Sequence, residues 1–184
     1  MRAITIDAPI PDEAASVRAA AADPAAFAEL YRRYVDDVHR YLVVKNGSED
    51  ADDLVAETFL AAFRAARSYR GSGAVKAWLI GIARRKAIDA FRRRRPVESL
   101  EAALAIADPL CTEDIAIERS ELARVATALR GIVPERAEAL RLRYFAGLDC
   151  DEIAPLMDRS TAAVKMLVHR GLRELRLELE GRDR

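Results

Sequence analysis

The sequence predicts an all-α fold of two small helical domains joined by a flexible linker. Three observations point there. Ala, Leu, Glu and Arg dominate, whereas the helix breakers are scarce, with 8 Gly and 7 Pro in 184 residues. Apolar side chains recur at helical spacing along most of the chain. Residues 96–111 interrupt that pattern with Pro96, Pro109, three acids and a short Ala/Leu run. The chain therefore divides into a tail with a short helix (1–22), a helical domain (23–95), a linker (96–111) and a second helical domain (112–184). A content of 51% hydrophobic and 33% charged residues argues against a membrane-spanning or wholly disordered chain.

Taken in order, residues 1–10 read as a loose tail and Asp12 to about Ala21 as a short helix. Asp23-Pro24 is a helix start, with Asp as N-cap and Pro at the first turn. The helix it opens carries Phe27, Leu30, Tyr31, Tyr34, Val38, Tyr41 and Leu42 on one face, and Asn46-Gly47 ends it. Ser48 is placed to cap the next helix. Glu49, Asp50, Asp52 and Asp53 crowd its first turn, where the helix dipole favours anions. Its apolar face is Leu54, Val55, Phe59, Leu60 and Phe63. Gly71-Ser72-Gly73 breaks it, and a helix from Trp78 to Arg95 follows, stopped by Pro96. In that helix Leu79, Ala83, Ala87, Ala90 and Phe91 form the apolar stripe. Arg85 and Arg92 stack on the opposite face, flanked by Arg84 and Arg95, and Asp89 is the one acid.

The second block begins at Thr112, with Ile115, Leu122, Val125 and Leu129 inward and Gly131 at its end. Pro134 starts a helix carrying Ala137, Leu140, Leu142, Tyr144 and Phe145, closed by Gly147. Asp149 and Glu152 have capping-box spacing. A helix of barely two turns follows, Ile153–Met157, then the tight turn Asp158-Arg159. Ser160 caps a longer helix to about Glu180. Short helix, turn and long helix make a helix-turn-helix pattern. Ile153, Ala154, Leu156, Val164 and Leu167 or Val168 pack its two helices together. Ser160, Thr161, Ala162, Lys165, Met166, His169 and Arg170 are left at the start and outer face of the second helix, the part that meets base edges in this motif. Pro155 inside the first helix is a blemish, tolerated within the first turn.

A net charge of zero hides a strong segregation. Residues 1–60 carry 6 basic and 12 acidic side chains, whereas 61–95 carry 11 basic and 1 acidic. Residues 96–130 carry 3 and 7, and 131–184 carry 10 and 10. One cationic patch between acidic segments suggests separate surfaces for separate partners. Beside the arginines stand Trp78 and the loop Tyr69-Arg70-Gly71-Ser72-Gly73. Cations neutralise phosphate and aromatics stack on exposed bases, so the combination suits an opened nucleic-acid strand.

With these residues in order, the chain resembles a bacterial RNA polymerase sigma factor of the sigma-70 family, extracytoplasmic-function group, over about residues 23–178. Asp52-Asp53-Leu54-Val55-Ala56-Glu57-Thr58-Phe59 resembles that family's acidic polymerase-binding helix. Tyr69-Arg70-Gly71-Ser72, Trp78-Leu79 and Ile82-Ala83-Arg84 resemble the loop and helix that open and hold the −10 element. Leu142-Arg143-Tyr144, Gly147-Leu148, Glu152-Ile153-Ala154 and Val164-Lys165 resemble the domain that reads the −35 element. The resemblance implies polymerase contacts at Asp50, Asp53, Leu54 and Glu57. It implies −10 contacts at Tyr69, Arg70, Ser72, Trp78, Arg84, Arg85, Asp89 and Arg92. It implies −35 contacts at Ser160, Thr161, Ala162, Lys165, Met166, His169 and Arg170. Its partners would be core RNA polymerase, through the clamp and flap of the β and β′ subunits, promoter DNA, duplex and single-stranded, and in many members an anti-sigma factor. Ala56 stands where the family usually has Gln, Arg85 where Asn is common, Met157-Asp158 where Leu-Gly is usual, and Leu167 where a basic residue is frequent. The departures near DNA bear on promoter sequence rather than on role.

The competing reading is a stand-alone helix-turn-helix regulator. An enzyme has no support: there is no Ser/His/Asp arrangement, P-loop or paired active carboxylates. Cys111 and Cys150 lack metal-ligand spacing and read as reduced thiols. Asp50, Asp52 and Asp53 are explained by the helix dipole rather than by a metal, and no cofactor is expected. His39 reads as solvated; His169 reads equally as a plain surface residue or a DNA contact. No run of about 18 apolar residues exists to cross a membrane, and the N-terminus lacks the apolar core of a secretory signal. The expectation is a bacterial cytoplasmic protein without membrane insertion.

Overall fold

The computed structural model describes residues 13–69, 74–94 and 113–182, and every regular element among them is helical. The N-terminal domain comprises α1 (Glu13–Ala20), α2 (Pro24–Asn46), α3 (Ser48–Ala65) with a 3₁₀ turn at Ala66–Ser68, and α4 (Val75–Arg94). The C-terminal domain comprises α5 (Glu113–Arg130), α6 (Pro134–Leu140) running into a π-helical turn at Arg141–Phe145, α7 (Cys150–Met157) and α8 (Thr161–Arg182). The expected linker, 96–111, lies outside the described residues.

Local chemistry sets the boundaries. Asp23 accepts from the Ala25 amide at 2.9 Å and Pro24 opens α2. Gly47 ends α2 at φ 98, a backbone region open to glycine, and its amide donates to the Val43 carbonyl. Ser48 does not cap α3 as the sequence suggested: Gly47 takes the N-cap position and Ser48 is the first helical residue. The short helix α1 is no loose appendage, because Val17 and Ala20 are buried.

The inward stripes are close to those expected, with five residues exposed instead: Tyr31 of α2, at 40%, and Leu60, Phe63, Phe91 and Tyr144. Leu30, Tyr34, Val38, Tyr41 and Leu42 of α2, Leu54, Val55 and Phe59 of α3, and Leu79, Ala83 and Ala87 of α4 are buried. Leu60 and Phe63 of α3 are 50% and 41% exposed, because the apolar arc of α3 is wider than α2 and α4 cover. Phe91 is 60% exposed, Ala90 being the last buried position of α4. Tyr144 is 54% exposed. Its helix widens at Arg141–Phe145, where the Ala146 amide bonds back five residues to the Arg141 carbonyl at 3.0 Å. That extra residue per turn keeps Leu142 inward and turns Tyr144 out.

The two domains share their cores. Leu142, Ala146, Leu148, Ile153, Ala154 and Val164 join the main N-terminal cluster. In return Val44 of α2 joins the second cluster, with Ala126, Leu129, Ile132, Ala137 and Leu140. At the contact of α4 with α7, a Cβ added to Gly81 would lie 3.2 Å from Leu156 Cδ2. A composition shift marks a linker but says nothing of whether the flanking domains touch; here the apolar faces of α7 and the π turn find their cover on α2 and α4.

Leu79→Ala, at a fully buried site, should cost about 2–5 kcal/mol. Leu60→Ala, on the uncovered arc, should cost roughly 0.5 kcal/mol or less. Urea titration followed by circular dichroism compares them, and equal losses would contradict this assignment of inner and outer faces.

Candidate nucleic-acid and partner interfaces

The cationic helix is α4. Its buried stripe fixes it on the core and leaves Arg85, Asp89, Arg92 and Arg93 exposed on the outer side. Arg84 is different: its side chain is 30% exposed, and its Nε donates to Glu138 Oε1 at 3.1 Å. Trp78 is half-buried, its ring 4.9 Å from that of Tyr69, and both pack on the core edge. These rings therefore brace the start of α4 and keep only part of their surface for a ligand. Arg70 and Ser72 lie outside the described residues.

The acidic helix is α3. Asp53 is exposed, Asp50 and Glu57 are half-exposed, and Glu57 faces two cations of α4, Lys86 at 3.1 Å and Arg93 at 3.9 Å. Leu54, expected at the partner surface, is 3% exposed and belongs to the core. It sits between Asp50 and Thr58 on the inner side of the helix and can only support the surface from beneath. The apolar surface here comes instead from residues whose role the sequence reading missed. Tyr31, Leu60 and Phe63 rim a groove between α2 and α3, floored by Phe27, Val55 and Phe59. His39 reaches this rim and lies 3.4 Å from Asp52. The signal was available: α3 carries more large apolar residues than one buried stripe needs.

The helix-turn-helix is α7 and α8. Asp149 accepts from the amides of Asp151 and Glu152 at 2.8 Å each, while Glu152 accepts from the Asp149 amide at 2.8 Å, completing the capping box. Asp158 makes the turn in the left-handed region, φ 55. Ser160 Oγ accepts from the Ala163 amide at 3.2 Å, so this hydroxyl is engaged as a cap. Thr161 donates to Asp151 Oδ1 at 2.7 Å and ties α8 to α7. Val164 is fully buried beneath, and Ala162, Lys165, Met166, His169 and Arg170 form an exposed face. Leu167 is half-buried, so its side chain is shared between that face and the interior.

One polar cluster was not foreseen. Glu138 of α6 is 6% exposed at the contact between domains. Tyr41 donates to its Oε1 at 2.9 Å, Lys45 pairs with its Oε2, Arg84 bonds Oε1, and Arg141 lies 3.7 Å from Oε2. Burial raises its carboxyl, but Lys45, Tyr41 and Arg141 outweigh burial and hold it below the usual carboxylate range. Burial, then Glu138, push the Tyr41 phenol well above its usual value, so it remains a donor. The sequence signal was slight: one acid four residues before Leu142 on an inward stripe.

The known proteins fit this geometry. The family model for sigma-70 region 2 matches residues 30–97, and that for sigma-70 region 4 matches 122–175. The ECF sigma factor BldN of Streptomyces coelicolor is 34% identical over 86% of this chain, which spans 62% of BldN. The sigma factor CarQ of Myxococcus xanthus is 32% identical, with 84% of this chain and 91% of CarQ aligned. SigD of Mycobacterium tuberculosis is 33% identical over 91% of this chain and 83% of SigD. Among solved structures, CnrH in complex with the cytosolic domain of CnrY superposes with TM-score 0.73 at 25% identity, covering 92% of this chain and 97% of CnrH. RpoE bound to the anti-sigma factor NepR, from Bartonella quintana, shares the fold, with TM-score 0.66 at 20% identity over 84% and 96% of the two chains. A match to region 2 as well as to a helix-turn-helix region sets aside the stand-alone regulator. With both regions in order over most of its length, the chain belongs to the sigma-70 family, among the extracytoplasmic-function sigma factors that direct promoter-specific initiation of transcription.

Proposed function

We propose a division of labour among three surfaces, with no catalytic chemistry in the chain itself. The acidic outer side of α3, with the apolar rim of Tyr31, Leu60 and Phe63, docks on the polymerase clamp. The outer side of α4, with Arg85 and Arg92 and the Tyr69–Trp78 pair at its start, holds the opened −10 strand. The exposed face of α8, led by Lys165, Met166, His169 and Arg170, enters the major groove at −35. The observation that carries this reading is the segregation of charge on a common core: acids line α3, cations line α4, and a capped helix-turn-helix presents a third face. An anti-sigma partner is proposed by analogy with the RpoE–NepR complex, and the site of action is the bacterial cytoplasm. Among the described residues no helix is long and apolar enough to cross a membrane.

This labour requires the domains to separate. Elements at −10 and −35 are about 25 base pairs apart, roughly 85 Å at 3.4 Å per pair. Helices α4 and α7 touch. Residues 95–112 could bridge at most about 65 Å when fully extended, which together with the widths of the domains suffices.

Asp53→Arg should abolish co-purification with core polymerase while leaving helicity unchanged; undiminished holoenzyme formation would place the clamp elsewhere. In holoenzyme, Arg85→Ala should mainly reduce permanganate-detected strand opening. Lys165→Ala should weaken −35 duplex binding, by about 1–3 kcal/mol at one base pair if it reads a base, or uniformly with a flatter salt slope if it meets phosphate. Normal opening by Arg85→Ala, with Lys165→Ala impaired only in melting, would reverse the assignment of the two halves.

A further inference from the structure

The Glu138 cluster lies away from the proposed DNA-binding faces, yet it engages Arg84, which the family resemblance counts among the −10 contacts. Its carboxylate comes from α6 of the C-terminal domain, whereas Tyr41, Lys45 and Arg84 come from α2 and α4 of the N-terminal domain. Arg84 belongs to the helix assigned above to the −10 strand. A carboxylate and a phosphate are alternative partners for one guanidinium, since both offer paired anionic oxygens to the same fork of donors. An Arg84 held by Glu138 is not free to hold phosphate.

We infer that Glu138 is an internal latch: paired with Lys45, it occupies the Arg84 guanidinium in place of a nucleic-acid phosphate and keeps the chain closed until the domains part. This rests on the proposed reading of α4 as the helix that holds the −10 strand, extended from Arg85 and Arg92 to Arg84 once the seam opens. Three features of the site support it. The carboxylate is enclosed where the two domains meet, so closing and opening make and break every one of its bonds to α2 and α4. The cations outnumber it, with Lys45, Arg84 and Arg141 around one acid. Without Glu138 the closed state would press three positive groups together at a buried seam, so closure depends on that single anion. The surrounding apolar contact gives attraction between the domains, and the latch makes that attraction conditional on charge. Salt should therefore loosen the closed state less than it loosens an exposed ion pair, whereas a dense polyanion that captures Arg84 should compete with it.

The test uses the full-length chain with Glu138→Gln and, from the other side of the latch, Lys45→Gln. Small-angle scattering reads closure; a compact chain of this length has a radius of gyration of about 16 Å. Glu138→Gln should raise the open population by about 100-fold or more, the range expected when buried charges lose their partner, and so enlarge the radius by several ångströms with helicity retained. Lys45→Gln should open the chain to a smaller degree. In the same preparations, affinity for a single-stranded −10 oligonucleotide should rise with Glu138→Gln, and the rise should vanish in Glu138→Gln combined with Arg84→Ala. An unchanged radius in both variants, or opening without any gain in strand binding, would overturn the latch. Failure of the underlying reading shows separately: Arg84→Ala alone would then open promoters normally in holoenzyme.

Discussion

The arrangement of the two halves hinges on one enclosed carboxylate. Glu138 is held by a phenol and by cations from both domains, and it is the one acid among the three cations gathered there. Apolar contact of α7 and the π turn with α2 and α4 supplies the attraction between the halves. A buried ion cluster adds a different property. It contributes little net energy when complete, but it is costly to leave half-made, so it favours either full closure or full separation over intermediate slippage. The proposed function asks for such all-or-none behaviour, because it holds the two surfaces together in one state and tens of ångströms apart in another.

Around that seam, each surface follows from what its helix buries. In α4, Leu79, Ala83 and Ala87 lie inside, which forces Arg85 and Arg92 outside. In α8, Val164 anchors the helix and turns Lys165 and Met166 outward. In α3, Leu54 and Phe59 are the anchors, and Asp53, Leu60 and Phe63 are what remains for a partner. The pairing of Glu57 with Lys86 and Arg93 links the acidic and cationic faces directly. A partner drawing on Glu57 would release two cations beside the outer face of α4.

Much of this was legible in the sequence because it depends on short-range chemistry. The Asp23-Pro24 start, the Gly47 stop, the Asp149/Glu152 capping box and the Ser160 cap are all set by neighbours within a few residues. The outward face of α8 followed from periodicity at Ala162, Lys165, Met166, His169 and Arg170, whereas Thr161 is turned to Asp151. What escaped depends on contacts between distant segments or on departures from regular geometry. Leu54 reads as part of a motif but is claimed by the core. Phe91 sits at a stripe position, yet the core gives out at Ala90. Tyr144 is turned outward by one extra residue in a π turn, which no apolar pattern announces. Glu138 looks like an ordinary helix acid until Tyr41 and Lys45, more than ninety positions away, are brought beside it.

The central claim is that one chain occupies two geometries, closed around Glu138 and opened along a promoter. Distance measurement by energy transfer tests it most directly. Dyes would replace exposed Arg67 in the N-terminal domain and Arg173 in the C-terminal domain, in a chain whose Cys111 and Cys150 are changed to Ser. The free protein should give one short, narrowly distributed separation, and the complex with core polymerase and promoter DNA should give a separation larger by tens of ångströms. The same distance in both states would contradict the account, as would a free protein already spread over the long distances.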